Sequence, residues 1–139
     1  MRTKRSEATA VPLLDVRRQN SQLRVEIDEA IAEVSQSAAF ILGPACREFE
    51  SAVADYCQTS HAIGCASGSD ALLLTLMAFD IGPGDEVILP SFTFFATAGS
   101  VWRLGAKPVF ADIVPNTFNI DPDDIEQKIT ANTKAIIPV

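Results

Sequence analysis

The residues best suited to chemistry form a short polar turn, Ser67-Gly68-Ser69-Asp70, between two apolar runs. The run before it, residues 61–65, is typical of a buried strand, and the run after it, residues 71–79, is typical of a helix. A strand that leads through small residues into a helix presents free backbone N–H groups and the positive end of the helix dipole. Such a turn can bind an anion, usually phosphate. An ordinary helix N-cap at Ser69 or Asp70 also explains these residues.

The single histidine and the three cysteines offer less chemistry. His61 is the only histidine, so a Cys/His zinc set cannot be assembled, and no pattern supports a His-based triad. Cys46, Cys57 and Cys65 include no C-x-x-C pair. We interpret them as free thiols that serve as small apolar residues, with Cys65 in the buried strand.

The elements that must position the turn begin with two helices. Apolar residues recur at steps of three and four over residues 16–38, which predicts a long amphipathic helix. Pro44 suits the first turn of a second helix, whose apolar face continues to Tyr56. Between them lies the apolar run Phe40-Ile41-Leu42-Gly43, which we expect to pack on another surface.

After the polar turn, strands and helices alternate. The helix over residues 71–79 is apolar on nearly every face, which predicts that it is buried. Asp121 is typical of an N-cap with Pro122 at the first helical position, and Gly105 of a helix stop. Further strands are predicted at 86–90, 108–112 and 135–139, with a helix at 91–104 whose start, Ser91-Phe92, is loop-like. This alternation predicts an α/β fold with a mostly parallel sheet.

The predicted topology brings two candidate binding segments together. Ligands of open α/β sheets bind at the carboxyl ends of the strands. The Ser67–Asp70 turn and the aromatic segment Ser91-Phe92-Thr93-Phe94 both follow predicted strands. With an anion site and an aromatic loop on one edge of the sheet, a ligand site and a simple helix cap explain the turn equally well.

Composition narrows the class of protein. The 139 residues are 47% hydrophobic and 21% charged, as in a globular domain, and we assign residues 11–139 to one domain after a flexible tail at 1–10. The net charge of −7 and the lack of a basic stripe argue against nucleic acid as a partner. The basic start lacks a following apolar stretch, and no apolar run approaches the roughly 20 residues that span a bilayer. We expect a cytoplasmic protein.

Seven segments resemble one known family in order and spacing. They are residues 40–44, 49–50, 66–72, 82–88, 90–98, 105–112 and 133–139. Together they resemble the DegT/DnrJ/EryC1/StrS aminotransferases, pyridoxal-phosphate enzymes that aminate nucleotide-linked keto sugars. The resemblance runs from about Val11 to Val139. It implies the N-terminal part of a fold type I large domain, with a mostly parallel sheet and flanking helices.

The resemblance also implies roles for individual residues. Gly68 and Ser69 match the turn that binds the cofactor phosphate, with Ser69 where the family usually has Thr. Asp70, in the same turn, is expected to act mainly as the helix cap. Phe94 matches the aromatic residue that stacks on the pyridine ring. The residue pattern alone does not separate Phe94 from Phe92 and Phe95.

Two parts of the chemistry have no match in this chain. The reaction needs a lysine to form a Schiff base with the cofactor and a carboxylate against its pyridine nitrogen. None of the four lysines, Lys4, Lys107, Lys128 and Lys134, matches the catalytic lysine of the family, which lies beyond residue 139. The matching carboxylate also lies beyond it, so Asp112 is interpreted as a turn residue.

The resemblance further implies that the strand at 61–65 lacks its neighbour on the side facing the other three. We therefore expect the isolated chain to be of low stability and catalytically inert. Glutamate as amino donor and a homodimer that includes the Phe40–Pro44 segment are what the family suggests. The alternative is a non-catalytic remnant, or a regulatory or binding protein that kept the phosphate turn.

Overall fold

The computed structural model describes residues 11–139, so the tail predicted for residues 1–10 lies outside the described residues. The chain divides into two compact units, one up to Ile63 and one from Gly64. Among the described residues, no helix combines the length and the apolar character needed to cross a membrane.

The first unit contains the two predicted helices, α1 (Val16–Ser37) and α2 (Pro44–Cys57). Asp15 caps α1 by accepting a hydrogen bond from the Arg18 N–H at 3.2 Å. Pro44 occupies the first turn of α2, as predicted. Gly43 precedes it because a Cβ there would lie 2.3 Å from the Ala39 carbonyl oxygen.

The apolar run between these helices is exposed in the structure. Phe40, Ile41 and Leu42 are 67%, 86% and 78% exposed. No described element covers this run, so the expectation that it packs on another surface stays a prediction.

The second unit contains a three-stranded parallel sheet and three helices, which confirms the predicted α/β class. The central strand is β1 (Glu86–Pro90), with β2 (Lys107–Ala111) on one side and β3 (Thr133–Ile136) on the other. The helices are α3 (Gly68–Ala78), α4 (Phe95–Arg103) and α5 (Pro122–Lys128). Asp121 caps α5 and Gly105 follows α4 with a φ of +76°, both as predicted.

The core lies on both faces of β1, whose residues are all buried. On one face, Val87 and Leu89 pack in a cluster that includes Leu76 of α3 and Val101 of α4. On the other face, Ile88 packs with Ala111 and Ile120, and Ile125 of α5 lies against them. Two-sided cover explains why β1 is a continuous apolar run rather than an alternating one.

The strand predicted at residues 61–65 is absent. The sheet ladders of the described residues join only β1, β2 and β3, so this segment has no strand to pair with. Ile63 is 85% exposed, and Cys65 is exposed rather than buried, as are Cys46 and Cys57. A strand forms only against a neighbour, and the described sheet contains none for this segment, as the family resemblance implied.

Two element predictions also need correction. Only Leu76 of α3 is buried, whereas Leu74 and Met77 are about half exposed. The predicted burial fails because α4 covers only one side of α3. The predicted helix at 91–104 begins only at Phe95, and the last strand is Thr133–Ile136 rather than 135–139.

Candidate functional site

The polar turn before α3 is capped by Ser67, not by Ser69 or Asp70 as predicted. Ser67 has extended backbone angles, and its hydroxyl accepts a hydrogen bond from the Asp70 N–H at 3.2 Å. The Ser67 carbonyl accepts from the Ala71 N–H at 2.9 Å. The helix starts at Gly68, so Ser69 and Asp70 already lie inside its first turn and neither is the N-cap residue.

This cap leaves two donors available. The first N–H groups of a helix have no acceptor within the helix, and Ser67 satisfies only those of Asp70 and Ala71. The N–H groups of Gly68 and Ser69 have no acceptor among the described residues, and neither does the Ser69 hydroxyl. These donors stand at the positive end of the α3 dipole, which suits an anion.

The space beside Gly68 is also open. A Cβ placed there would meet no atom within 4 Å, and its φ does not require glycine. Neither packing nor backbone strain in the described residues therefore accounts for a glycine at this position. Close approach of a ligand to the backbone does account for it, so the turn fits a phosphate group. The Asp70 carboxylate has no hydrogen-bond partner in the described part of the chain.

The three phenylalanines of the aromatic segment differ in their surroundings. The Phe92 ring lies 5.7 Å from the Phe118 ring, centroid to centroid. The Phe95 ring lies against Gly99, since a Cβ there would be 2.9 Å from Phe95 Cε1. Phe94 is 77% exposed and has no ring contact among the described residues. Phe95 is 78% exposed and also has no aromatic partner, so Phe94 and Phe95 are both available to stack on a ligand, and only the motif resemblance selects Phe94.

The turn and the aromatic segment meet at α4. Ser100 of α4 places its hydroxyl 3.4 Å from the Ser69 carbonyl oxygen. Ser69, Phe94 and Phe95 line one open groove of about 390 Å³, with Trp102 and Arg103 further along it. Gly68 and Asp70 do not line this groove. The structure thus brings Ser69 and Phe94 together in one groove, and Gly68 immediately precedes Ser69 in the turn.

The lysines lie away from this groove. Lys107 begins β2 and pairs with Glu86 at 2.8 Å, and Lys128 ends α5 and pairs with Asp124 at 2.6 Å. The hydrogen bond from Lys107, then that from Thr130, holds the pKa of Glu86 below its usual value. For Asp124, the hydrogen bonds from Lys128 and from the Asp112 N–H lower the pKa.

Asp112 itself directly follows β2 and is exposed, as the turn interpretation predicted. Sequence reasoning missed the buried hydroxyls of Thr97 and Ser100, which are 4% and 3% exposed. Their spacing of three residues in an apolar helix was the available signal, because such residues share a helix face.

The comparisons with known proteins agree with the fold. The family model of the DegT/DnrJ/EryC1/StrS aminotransferases matches residues 21–139. A "Pleiotropic regulatory protein" of Geobacillus stearothermophilus is 54% identical over 93% of this chain and 35% of the relative. The "UDP-2-acetamido-2-deoxy-3-oxo-D-glucuronate aminotransferase" of Pseudomonas aeruginosa is 46% identical over 93% of this chain and 36% of the relative.

Two solved structures have the same architecture. DesV of S. venezuelae superimposes with a TM-score of 0.90 at 44% identity, over 92% of this chain and 34% of DesV. NtdA of Bacillus subtilis, solved with bound cofactor PMP, gives 0.87 at 39% identity, over 98% of this chain and 32% of NtdA. The chain spans about a third of the length of these relatives. It belongs to the DegT/DnrJ/EryC1/StrS aminotransferase family.

Proposed function

We propose that this chain supplies the phosphate- and ring-binding part of a pyridoxal-phosphate site in an aminotransferase of nucleotide-linked keto sugars, with glutamate as amino donor. The observation that carries the proposal is the α3 N-terminus. Its free Gly68 and Ser69 N–H groups lie beside the groove that also contains the exposed Phe94 ring. The PMP bound to NtdA and the substrate named for the Pseudomonas relative support it.

The chain's own residues then have distinct tasks. When bound, the cofactor supplies an electron sink for amine transfer. The Gly68 and Ser69 N–H groups and the Ser69 hydroxyl hold the phosphate, assisted by the α3 dipole. The Phe94 ring, free of other aromatic contacts, orients the pyridine by stacking. Asp70 keeps α3 in place through its N–H bond to Ser67.

In this proposal, none of the described lysines bonds covalently to the cofactor. Lys107 and Lys128 are held in ion pairs, and Lys134 is the second residue of β3. Strand starts face the edge of the sheet opposite to the carboxyl ends, where ligands bind. This chain is therefore proposed to bind the cofactor reversibly and to be inert on its own.

Fluorescence of Trp102, the only tryptophan, provides the test of binding because it lines the same groove. Pyridoxine 5′-phosphate and pyridoxine are suitable probes, since neither carries the aldehyde that reacts with lysines. We expect the phosphate ester to bind more tightly than pyridoxine. Equal affinity for the two probes, or no binding of either, contradicts the proposed phosphate site.

Reduction with borohydride in the presence of pyridoxal phosphate tests the proposed inertness. Mass spectrometry is expected to find no lysine labelled in stoichiometric amount. Full labelling of any one of Lys107, Lys128 or Lys134 would show that the chain contains its own covalent lysine.

A second candidate is a regulatory protein that binds the cofactor or a nucleotide sugar without chemistry. The name of the Geobacillus relative, 54% identical, favours it. The two candidates differ in amine transfer from [¹⁵N]glutamate to a nucleotide-linked keto sugar, followed by NMR on the protein that carries this chain. Transfer supports the aminotransferase, and binding without transfer supports the regulatory candidate.

We also propose a homodimer in which the Phe40–Pro44 segment contributes to the interface, in a cytoplasmic setting without nucleic acid or membrane partners. The exposure of Phe40, Ile41 and Leu42 supports the first point. Three exposed free cysteines among the described residues agree with a reducing compartment. The net charge of −7 argues against nucleic acid.

A further inference from the structure

Two buried hydroxyl side chains of α4 lie between the two parts of the proposed cofactor site. Thr97 is 4% and Ser100 3% exposed, although both residue types are mostly found at surfaces. They are three residues apart, so they share one face of the helix. Buried polar groups are kept where they make a hydrogen bond, and the partners of these two decide what they do.

Thr97 holds the loop that presents Phe94. Its hydroxyl oxygen lies 2.8 Å from that of Thr93, and the two share a hydrogen bond. Its N–H donates to the Phe94 carbonyl at 3.1 Å. Phe94 is the N-cap of α4 but has no side chain able to cap it. The Thr93–Thr97 pair therefore fixes the helix start while an aromatic residue occupies the cap position.

Ser100 holds the phosphate turn less strongly. Its hydroxyl donates to the Ala96 carbonyl at 2.7 Å, and the Ser69 carbonyl lies at 3.4 Å. The hydroxyl has one proton, so the shorter bond takes most of it and the longer contact is weak. Gly99, beside Ser100, is also buried. The Phe95 ring fills the space beside Gly99, so Ser100 is the residue of α4 that contacts the first turn of α3.

We propose that Thr97 is a positioning residue for the Phe94 ring and that Ser100 is a positioning residue for Ser69, so that α4 sets the distance between ring site and phosphate site. The inference rests on the proposed function, because this distance matters only when one ligand contacts both. Thr97 then positions the ring site and Ser100 the phosphate site, and each hydroxyl can be removed separately by mutation.

Three variants test the proposal. Thr97→Val keeps the size and removes the hydroxyl, Thr97→Ser keeps the hydroxyl, and Ser100→Ala removes the second one. The matched control is Thr75→Val, because the Thr75 hydroxyl of α3 bonds only to the Ala71 carbonyl, at 2.8 Å, away from α4. Affinities for pyridoxine 5′-phosphate and pyridoxine are measured by Trp102 fluorescence. Circular dichroism checks that each variant folds.

We expect Thr97→Val to weaken both probes by a similar factor, about fivefold for one hydrogen bond, and Thr97→Ser to restore both. Ser100→Ala should weaken only the phosphate ester, by about twofold, since its contact with Ser69 is long. Thr75→Val should leave both affinities unchanged. If Thr97→Val does not fold, Thr93→Val breaks the same hydrogen bond from the loop side.

Amide hydrogen exchange without ligand gives a readout independent of binding. Thr97→Val should speed exchange at residues 94–97, and Ser100→Ala at residues 69–71. If Thr97→Val binds both probes and exchanges its amide hydrogens like wild type, the positioning role of Thr97 is contradicted and the proposed function stands. A wild-type protein that binds neither probe contradicts the proposed function and with it this inference.

Discussion

Gly68 is the residue at which stability and binding separate most clearly. Apart from its chain neighbours and the backbone of its own helix, no described atom lies within 4 Å of a Cβ placed there, so Gly68→Ala should leave the free energy of unfolding within about 0.5 kcal/mol of wild type. The added methyl group would occupy the approach of the phosphate to the N–H donors. We expect affinity for pyridoxine 5′-phosphate to fall about tenfold, because about one charge-assisted hydrogen bond is lost. Fluorescence titration measures this affinity.

Gly82→Ala is the matched control, because a Cβ at Gly82 also meets nothing within 4 Å but lies outside the polar turn. It should change neither stability nor affinity. Unchanged affinity in Gly68→Ala would remove Gly68 from the phosphate site.

Phe94 violates the ordinary preference at a helix start. Ser, Thr, Asp or Asn at the N-cap of α4 would add a hydrogen bond that Phe94 cannot make. Phe94→Ser should therefore raise the free energy of unfolding by about 1 kcal/mol in urea denaturation. It should also weaken pyridoxine binding about fivefold through lost ring stacking. A local rule broken without structural benefit is what a binding residue is expected to show.

Phe92→Ser serves as the comparison, because Phe92 packs on Phe118 and is not a cap. It should lower stability and leave pyridoxine affinity unchanged. A loss of stability in Phe94→Ser would refute the capping argument.

At the scale of elements, one carboxylate joins the N-terminal ends of all three strands. Glu86, first residue of β1, accepts hydrogen bonds from Lys107 of β2 at 2.8 Å and from Thr130, before β3, at 2.6 Å. Its N–H also donates to the Asn132 carbonyl at 2.8 Å. The hydrogen bond from Lys107, then that from Thr130, lowers the pKa of Glu86, so its charged form stabilises the fold.

The sign of the pH dependence follows from that lowered pKa. The stabilisation is complete above the usual value of 4.5 and is lost as the pH falls through the lower folded pKa. Glu86→Gln should be less stable than wild type at pH 7, and the difference should shrink toward low pH. Urea denaturation at a series of pH values from 7 down to 2 measures it.

In Glu86→Gln, the free energy of unfolding should still fall at low pH, but less than in wild type. The remaining fall comes from Asp124, because its hydrogen bond with Lys128 also lowers its pKa. A constant difference between Glu86→Gln and wild type across the pH range would show that the charge of Glu86 does not stabilise the sheet.

Local signals in the sequence predicted most of these elements. The Asp121-Pro122 start, the Gly105 stop and the strands around Ile88 and Val109 depend on nearby residues, and the structure confirms them. The strand at 61–65 failed because pairing depends on a distant partner, which no local pattern reveals.

The candidate site also combines features set by nearby residues, which a sequence reveals, with contacts between distant residues, which it does not. Turn composition selected the segment of the proposed anion site, but the cap fell on Ser67 because sequence patterns place helix boundaries only to within a residue or two. The Thr97 and Ser100 contacts required knowledge of how α4 meets its neighbours. Motif resemblance selected Phe94 from three candidates, and the structure sets aside only Phe92, whose ring packs on Phe118.

At the scale of the whole molecule, each unit exposes apolar side chains that ordinary folding would cover. In the first unit these are Phe40, Ile41 and Leu42, and in the second Leu74, Met77 and Phe79. Contiguous exposed apolar residues mark surfaces that bind other protein. The chain spans about a third of its relatives, and the exposed surfaces are where the proposed dimer would find its contacts.

Ile41→Asp tests the proposed interface in the first unit. Ile41 is 86% exposed, so the change should leave circular dichroism unchanged. Covering an isoleucine side chain in an interface contributes about 1.5–3 kcal/mol, which is about a tenfold or greater change in a dissociation constant. Sedimentation velocity over a concentration series should therefore show weaker association of Ile41→Asp than of wild type. Ser35→Asp adds the same charge at an exposed polar position of α1 and should associate like wild type. Equal weakening in both variants would assign the effect to charge alone, and no weakening in Ile41→Asp would place the interface elsewhere.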